Sequence, residues 1–138
     1  MSVELRTRVD SEQAPVEAGS FFLETLPALL DAHQGFIAPG ARELPITDFC
    51  VECEGEAWTL TWADDRVAVT EGHSGGPRVR LSDEQLMDLV NDQSTPIALM
   101  SNNLLDMPEG GLPDFLNWWL VLRAALDGRR MHARGDVI

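Results

Sequence analysis

The sequence predicts an α+β domain, a sheet of short strands with helices gathered on one face. Three observations carry that prediction. Apolar residues recur at three- and four-residue steps from about residue 15 to 34, the period of a helix. Between residues 49 and 81 they alternate with polar residues in four short runs, the period of half-buried strands. After Ser82 the helical period returns and, apart from one strand-like stretch, holds as far as Gly128. Strands and helices that come in separate blocks pack as segregated layers. With 138 residues, 44% of them apolar, the chain suits a single core and is too hydrophobic for disorder.

In chain order, residues 1–14 are polar and read as a flexible N-terminus, 15–128 as the folded domain, and 129–138 as a tail or linker. The first helix carries Val16, Phe22, Leu23, Leu26, Leu29 and Leu30. Pro27 falls inside it, so the helix either kinks there or restarts with Pro27 in a first turn. Gly35 and Pro39-Gly40 read as a loop. Phe49-Val51-Cys53, Trp58-Leu60-Trp62, Val67-Val69 and Val79-Leu81 mark the strands. Tight turns at Glu54-Gly55-Glu56 and Ala63-Asp64-Asp65 make an antiparallel meander of them. Ser82-Asp-Glu-Gln85 is a capping box opening a helix with Leu86, Met87, Leu89 and Val90 on its buried side. Pro96 opens a short helix after Thr95, Asn102 to Met107 reads as a short fifth strand, and Pro113 starts the last helix.

Composition excludes several functions. The 23 acids against 10 bases, all Arg, give a net charge of −13, which repels phosphate backbones and anionic leaflets. Nucleic acid is therefore not an expected partner, and anionic membranes are expected to bind weakly or not at all. Without a single Lys there is no internal Schiff base and no P-loop lysine. The N-terminus lacks the apolar core of a secretory signal, and two Cys do not make a secreted disulfide scaffold. Cytoplasmic location is the expectation.

Local motifs carry no chemistry on this reading. Gly72-His-Ser74-Gly-Gly76 matches the nucleophile-elbow pattern, but an elbow needs a helix after the Ser and this one runs into the strand Arg78–Leu81. A glycine-rich hairpin loop explains it better. Cys50 and Cys53 have C-x-x-C spacing, yet in a strand positions i and i+3 face opposite sides, so the thiols do not converge. His33, His73 and His132 are not spaced to complete a metal site. The acids at Asp48, Glu52, Glu54, Asp64, Asp65, Asp83, Glu84 and Asp88 fall on outer strand faces, turns and a helix start, as a solubilising coat. No catalytic residue, metal or cofactor is expected.

The last helix is different. From Phe115 to Leu126 only Asn117 and Arg123 are polar, and a helix apolar nearly all round is not satisfied by one sheet face. Its surplus must meet more protein, a partner subunit or an apolar ligand.

Residues 44 to 127 resemble the sterol carrier protein type 2 domain family. The segments that carry the likeness are Phe49-Cys-Val-Glu-Cys-Glu-Gly55, Glu56-Ala-Trp-Thr-Leu-Thr-Trp62 and Arg66-Val-Ala-Val-Thr-Glu-Gly72. Val79-Arg-Leu-Ser-Asp-Glu-Gln-Leu-Met-Asp-Leu-Val90 and Thr95-Pro-Ile-Ala-Leu99 continue it. The resemblance implies a five-stranded, mostly antiparallel sheet covered by helices on one face. It also implies an apolar tunnel for a fatty acyl chain, acyl-CoA or sterol, and no catalysis. On that reading the ligand-binding residues are Trp58, Trp62, Met100, Leu104, Phe115, Trp118, Trp119 and Leu122. The alternative is a protein-interaction or dimerisation module of the same fold without a ligand cavity. It would serve a homodimer or a neighbouring domain of a larger lipid-related enzyme.

Overall fold

The computed structural model describes residues 16–73 and 75–128. The expected flexible N-terminus, the C-terminal tail and Ser74 of the elbow-like motif lie outside the described residues.

The first helical stretch has three parts: α1 (Ala18–Ser20), a π-helical turn (Phe21–Thr25) and α2 (Leu26–Ala41). Glu17 caps α1, its carboxylate accepting from the Gly19 and Ser20 amides at 3.0 and 2.8 Å. Pro27 does fall in a first turn, that of α2, just after the π-turn. The helix does not stop at residue 34: it runs through Gly35 and Pro39 to Ala41. Burial explains this, since Leu26, Leu30, Ile37 and Ala41 are at most 2% exposed, and one interior turn keeps them on the sheet. Pro39 sits in the last turn, where it removes one bond to Gly35 and interrupts nothing further.

β1 (Phe49–Cys53), β2 (Glu56–Ala63) and β3 (Arg66–Glu71) form the expected antiparallel meander. Both hairpins use two-residue turns with positive φ, Glu54-Gly55 and Asp64-Asp65, whose twist matches that of the strands. The meander ends there. β4 (Arg78–Leu81) pairs with β1, in parallel, and β5 (Asp106–Glu109) closes the far edge against β4, giving the order β3-β2-β1-β4-β5. The sheet is five-stranded and mostly antiparallel, with that one parallel pair. β5 starts four residues later than Asn102 and contains Pro108, which an edge strand tolerates.

The glycine-rich segment is thus no hairpin loop. The connection 72–77 carries the chain past β2 and β1 to β4, three strand spacings or about 14 Å. At its start the Thr59 hydroxyl donates to the Gly72 carbonyl at 2.6 Å. Thr59 and its cross-strand neighbour Cys50 are both fully buried. Cys53 faces the helices, so the two thiols do diverge, and both are free.

On the other face lie α3 (Asp83–Val90), α4 (Pro96–Ser101) and α5 (Leu112–Asp127), with α2 beside α5. The Ser82–Gln85 capping box and the Thr95 cap both form. The surplus apolar surface of α5 meets the sheet through Phe115, stacked on Phe49, and meets α2 through Ala124 and Ala125, both fully buried. His33 of α2 shares a 2.9 Å hydrogen bond with the Ala125 carbonyl. Gln34 closes the β3 edge: its amide donates to the Val67 carbonyl at 2.7 Å and accepts from the Val67 amide at 3.2 Å.

The acids are less idle than a solubilising coat requires. Glu52 is three-quarters buried and ion-paired with Arg78 and Arg80, and Asp65 holds Arg42 with both carboxylate oxygens.

Candidate functional site

The apolar residues of five separate segments converge on one void. The π-turn supplies Phe21 and Phe22, the sheet Val51 and Leu81, α3 Leu86, Leu89 and Val90, and α5 Phe115, Trp119, Leu122 and Leu126. Every one of these side chains is aliphatic or aromatic. The void holds about 20 Å³, room for one water-sized body and nothing larger. Beside it an open cleft of about 330 Å³ is lined by Val16, Glu17, Ser20, Phe21, Thr25, Val90, Asn91 and Leu126. Phe21, Val90 and Leu126 line both, so the apolar space and the polar-rimmed cleft adjoin.

The walls differ in how they are tied. α3 is anchored at its start, where the Asp83 amide donates to Glu54 at 3.1 Å and the Cys53 thiol donates to Asp83 at 3.2 Å. Burial first, and then that bond to Asp83, push the Cys53 thiol up to about 12. At its end α3 is held by Arg123 of α5. The guanidinium donates to the Leu89 carbonyl at 2.9 Å and the Val90 carbonyl at 3.2 Å, and pairs with Asp127 at 2.5 Å. It also lies over the Trp119 ring, 5.5 Å from its centre. A cation at the carbonyl end of a helix satisfies open acceptors and the helix dipole together.

Of the residues singled out from the sequence, the structure brings Phe115, Trp119 and Leu122 together on the void. Trp58 stands next to it, its ring stacked on that of Phe22 at 4.8 Å. Trp118 is buried elsewhere, its indole donating to the Thr47 carbonyl at 2.7 Å, where it fastens α5 to the approach to β1. Trp62 is half-buried at the margin of the core. Met100 and Leu104 are each 44% exposed on and after α4, away from the lining. The lining from the π-turn and α3 was not anticipated. Phe22, Leu86, Leu89 and Val90 signal buried helix faces in the sequence, but nothing local says that the two faces meet.

Among the described residues no helix is long and apolar enough to cross a membrane, and no group of three His, Cys, Asp or Glu is placed to hold a metal. No protein-family model and no curated protein matches the sequence. Solved structures do. The UbiJ-SCP2 ubiquinone synthesis protein superposes with a TM-score of 0.55 at 17% identity, over 80% of this chain and 95% of its own. Sterol carrier protein 2 from Yarrowia lipolytica, in its apo form, gives 0.56 at 16% identity, over 82% and 98%. This chain has the sterol carrier protein 2 fold. The sterol carrier protein domain 2 of Helicoverpa armigera agrees, with 0.54 at 15% identity over 83% and 95%. In a sterol-carrier fold the void described above lies between the sheet and the last helix, closed by the π-turn and α3.

Proposed function

We propose that residues 15–128 form a non-catalytic domain that binds an apolar ligand in the void between the sheet, the π-turn, α3 and α5. The observation that carries this reading is an interior lined only by aliphatic and aromatic side chains, sharing three residues with a cleft of about 330 Å³. That cleft falls at the lower end of small-molecule site volumes, whereas the apolar space of about 20 Å³ is far below it. Binding therefore requires the walls to part. Each Å² of apolar ligand surface buried then contributes roughly 25 cal/mol. The sterol-carrier names of the similar structures support a lipid of acyl or sterol type. Phe115, Trp119 and Leu122 are the proposed contacts from α5, with Phe21, Phe22, Leu86 and Leu89 opposite. Native mass spectrometry of gently purified protein and a lipid titration followed by Trp fluorescence test it. A co-purifying lipid or saturable binding supports the reading, and neither of them in both experiments overturns it.

A second reading has its own observation. Ile97, Met100 and Leu104 are 53%, 44% and 44% exposed and recur along α4 and its exit, an apolar stripe suited to a protein neighbour. A clean monomer whose mass is unaffected by concentration counts against the homodimer form of this reading.

A further inference from the structure

Next to the void is a buried donor without an acceptor. Trp58 is 1% exposed, and its Nε1–H has no hydrogen-bond partner among the described residues. Trp118 is equally buried, yet its indole is satisfied by Thr47. A buried N–H left unmade costs about 1–3 kcal/mol, so such a group needs a reason. Trp58 stacks on Phe22 at 4.8 Å with the rings 17° apart, and its cross-strand neighbour is Val51. Both Phe22 and Val51 line the void. Phe22 also belongs to the π-turn, where the Leu26 amide reaches back to the Phe21 carbonyl, one residue beyond the α-helical partner. π-turns inside helices are rare and occur often at functional sites.

We propose that the ligand carries a hydroxyl or carbonyl oxygen on the part of it that enters first, and that this oxygen accepts the hydrogen bond of Trp58 Nε1 once Phe22 has shifted with its π-turn. The proposal rests on the ligand-binding reading above and narrows its substrate class. An acyl chain that enters by its methyl end leaves Trp58 unsatisfied. A neutral, ring-borne oxygen on an apolar body does not. The surroundings favour a neutral group, because the void offers no charged partner for an ionised one.

The experiment compares two probes of one shape, 1-tetralone and tetralin, by titration calorimetry on the whole chain and on Trp58→Phe. Phenylalanine removes the donor and also one ring of the indole, and the space this opens serves both probes alike, so the ratio of their affinities isolates the donor. A hydrogen bond of about 1 kcal/mol predicts that the ketone-to-hydrocarbon affinity ratio falls roughly fivefold in the variant. Independently of the variant, tetralone and not tetralin should move one buried indole N–H proton resonance downfield. If both probes bind and the ratio is the same in both proteins with no indole shift, the proposal is overturned, since an internal water or no acceptor then satisfies Trp58. If neither these probes nor any lipid binds, the ligand reading itself falls and takes this one with it.

Discussion

Arg123 is where the closed state of the void is most open to test. Its side chain is 15% exposed and gives up two bonds to the end of α3, one bidentate pairing with Asp127, and its place over Trp119. The Asp127 pairing is an i, i+4 ion pair on a helix and contributes about 0.3–0.5 kcal/mol. The ring contact adds roughly 0.5–1 kcal/mol. The two carbonyls lie at a helix end that water reaches when the side chain goes, so their loss costs about 1 kcal/mol rather than the full value for charged donors. Arg123→Ala should therefore cost about 2–2.5 kcal/mol, and Arg123→Met, which keeps the aliphatic stem against Trp119, about 1–2. For a domain of this size each kcal/mol moves the melting midpoint by about 4 °C. Urea unfolding gives the global number, and native-state hydrogen exchange gives the local one. Amides of α3 should lose protection in Arg123→Met by more than those of β1 and β2, because α3 loses its tie at one end and keeps the other at Asp83. An unchanged midpoint, or a loss spread evenly over helix and sheet, would refute the idea that Arg123 holds this wall in place.

Four further outcomes follow from the same geometry. Both thiols are raised by burial, Cys53 to about 12, so neither should react with a disulfide reagent at pH 8 until the chain unfolds. Since the folded thiol of Cys53 stays protonated above the ordinary value of 9.0, its contribution to stability is whole below pH 9 and declines as pH rises towards about 12, which unfolding curves at stepped pH would register. Gln34→Ala removes both bonds to Val67 and should cost about 1–2 kcal/mol while exposing the β3 edge, seen as a rise in concentration-dependent association by light scattering. Gly110→Ala should cost at least about 2 kcal/mol in a melting experiment, because at φ +80° the added Cβ would sit 2.7 Å from Pro77 and 2.8 Å from Asp114.

How much was legible depends on the range of the signal. Phe49-Val51-Cys53 and Trp58-Leu60-Trp62 announce strands because their neighbours alternate in polarity, and Ser82 announces a helix because its hydroxyl and Gln85 close a box within four residues. Gly35 and Pro39 misled for the same reason: they are strong local breakers, overruled by Ile37 and Ala41 packing against elements far along the chain. Of the candidate ligand residues, Phe115, Trp119 and Leu122 belong to a helix whose apolar surplus is legible in the sequence, while nothing local tells that Met100 and Leu104 are each 44% exposed.

Sequence alone was enough for the layered α+β order, for the hairpin turns, for the caps and for an acidic chain built around one unusually apolar helix. Each of those rests on residues within a few positions of one another, where periodicity and side-chain chemistry act directly. Tertiary structure decided that β4 crosses to lie parallel to β1, that α2 absorbs part of the apolar surface of α5, and that the π-turn and α3 complete the void. These are pairings between segments separated by tens of residues, and their energy comes from shared burial, which no single stretch of sequence contains.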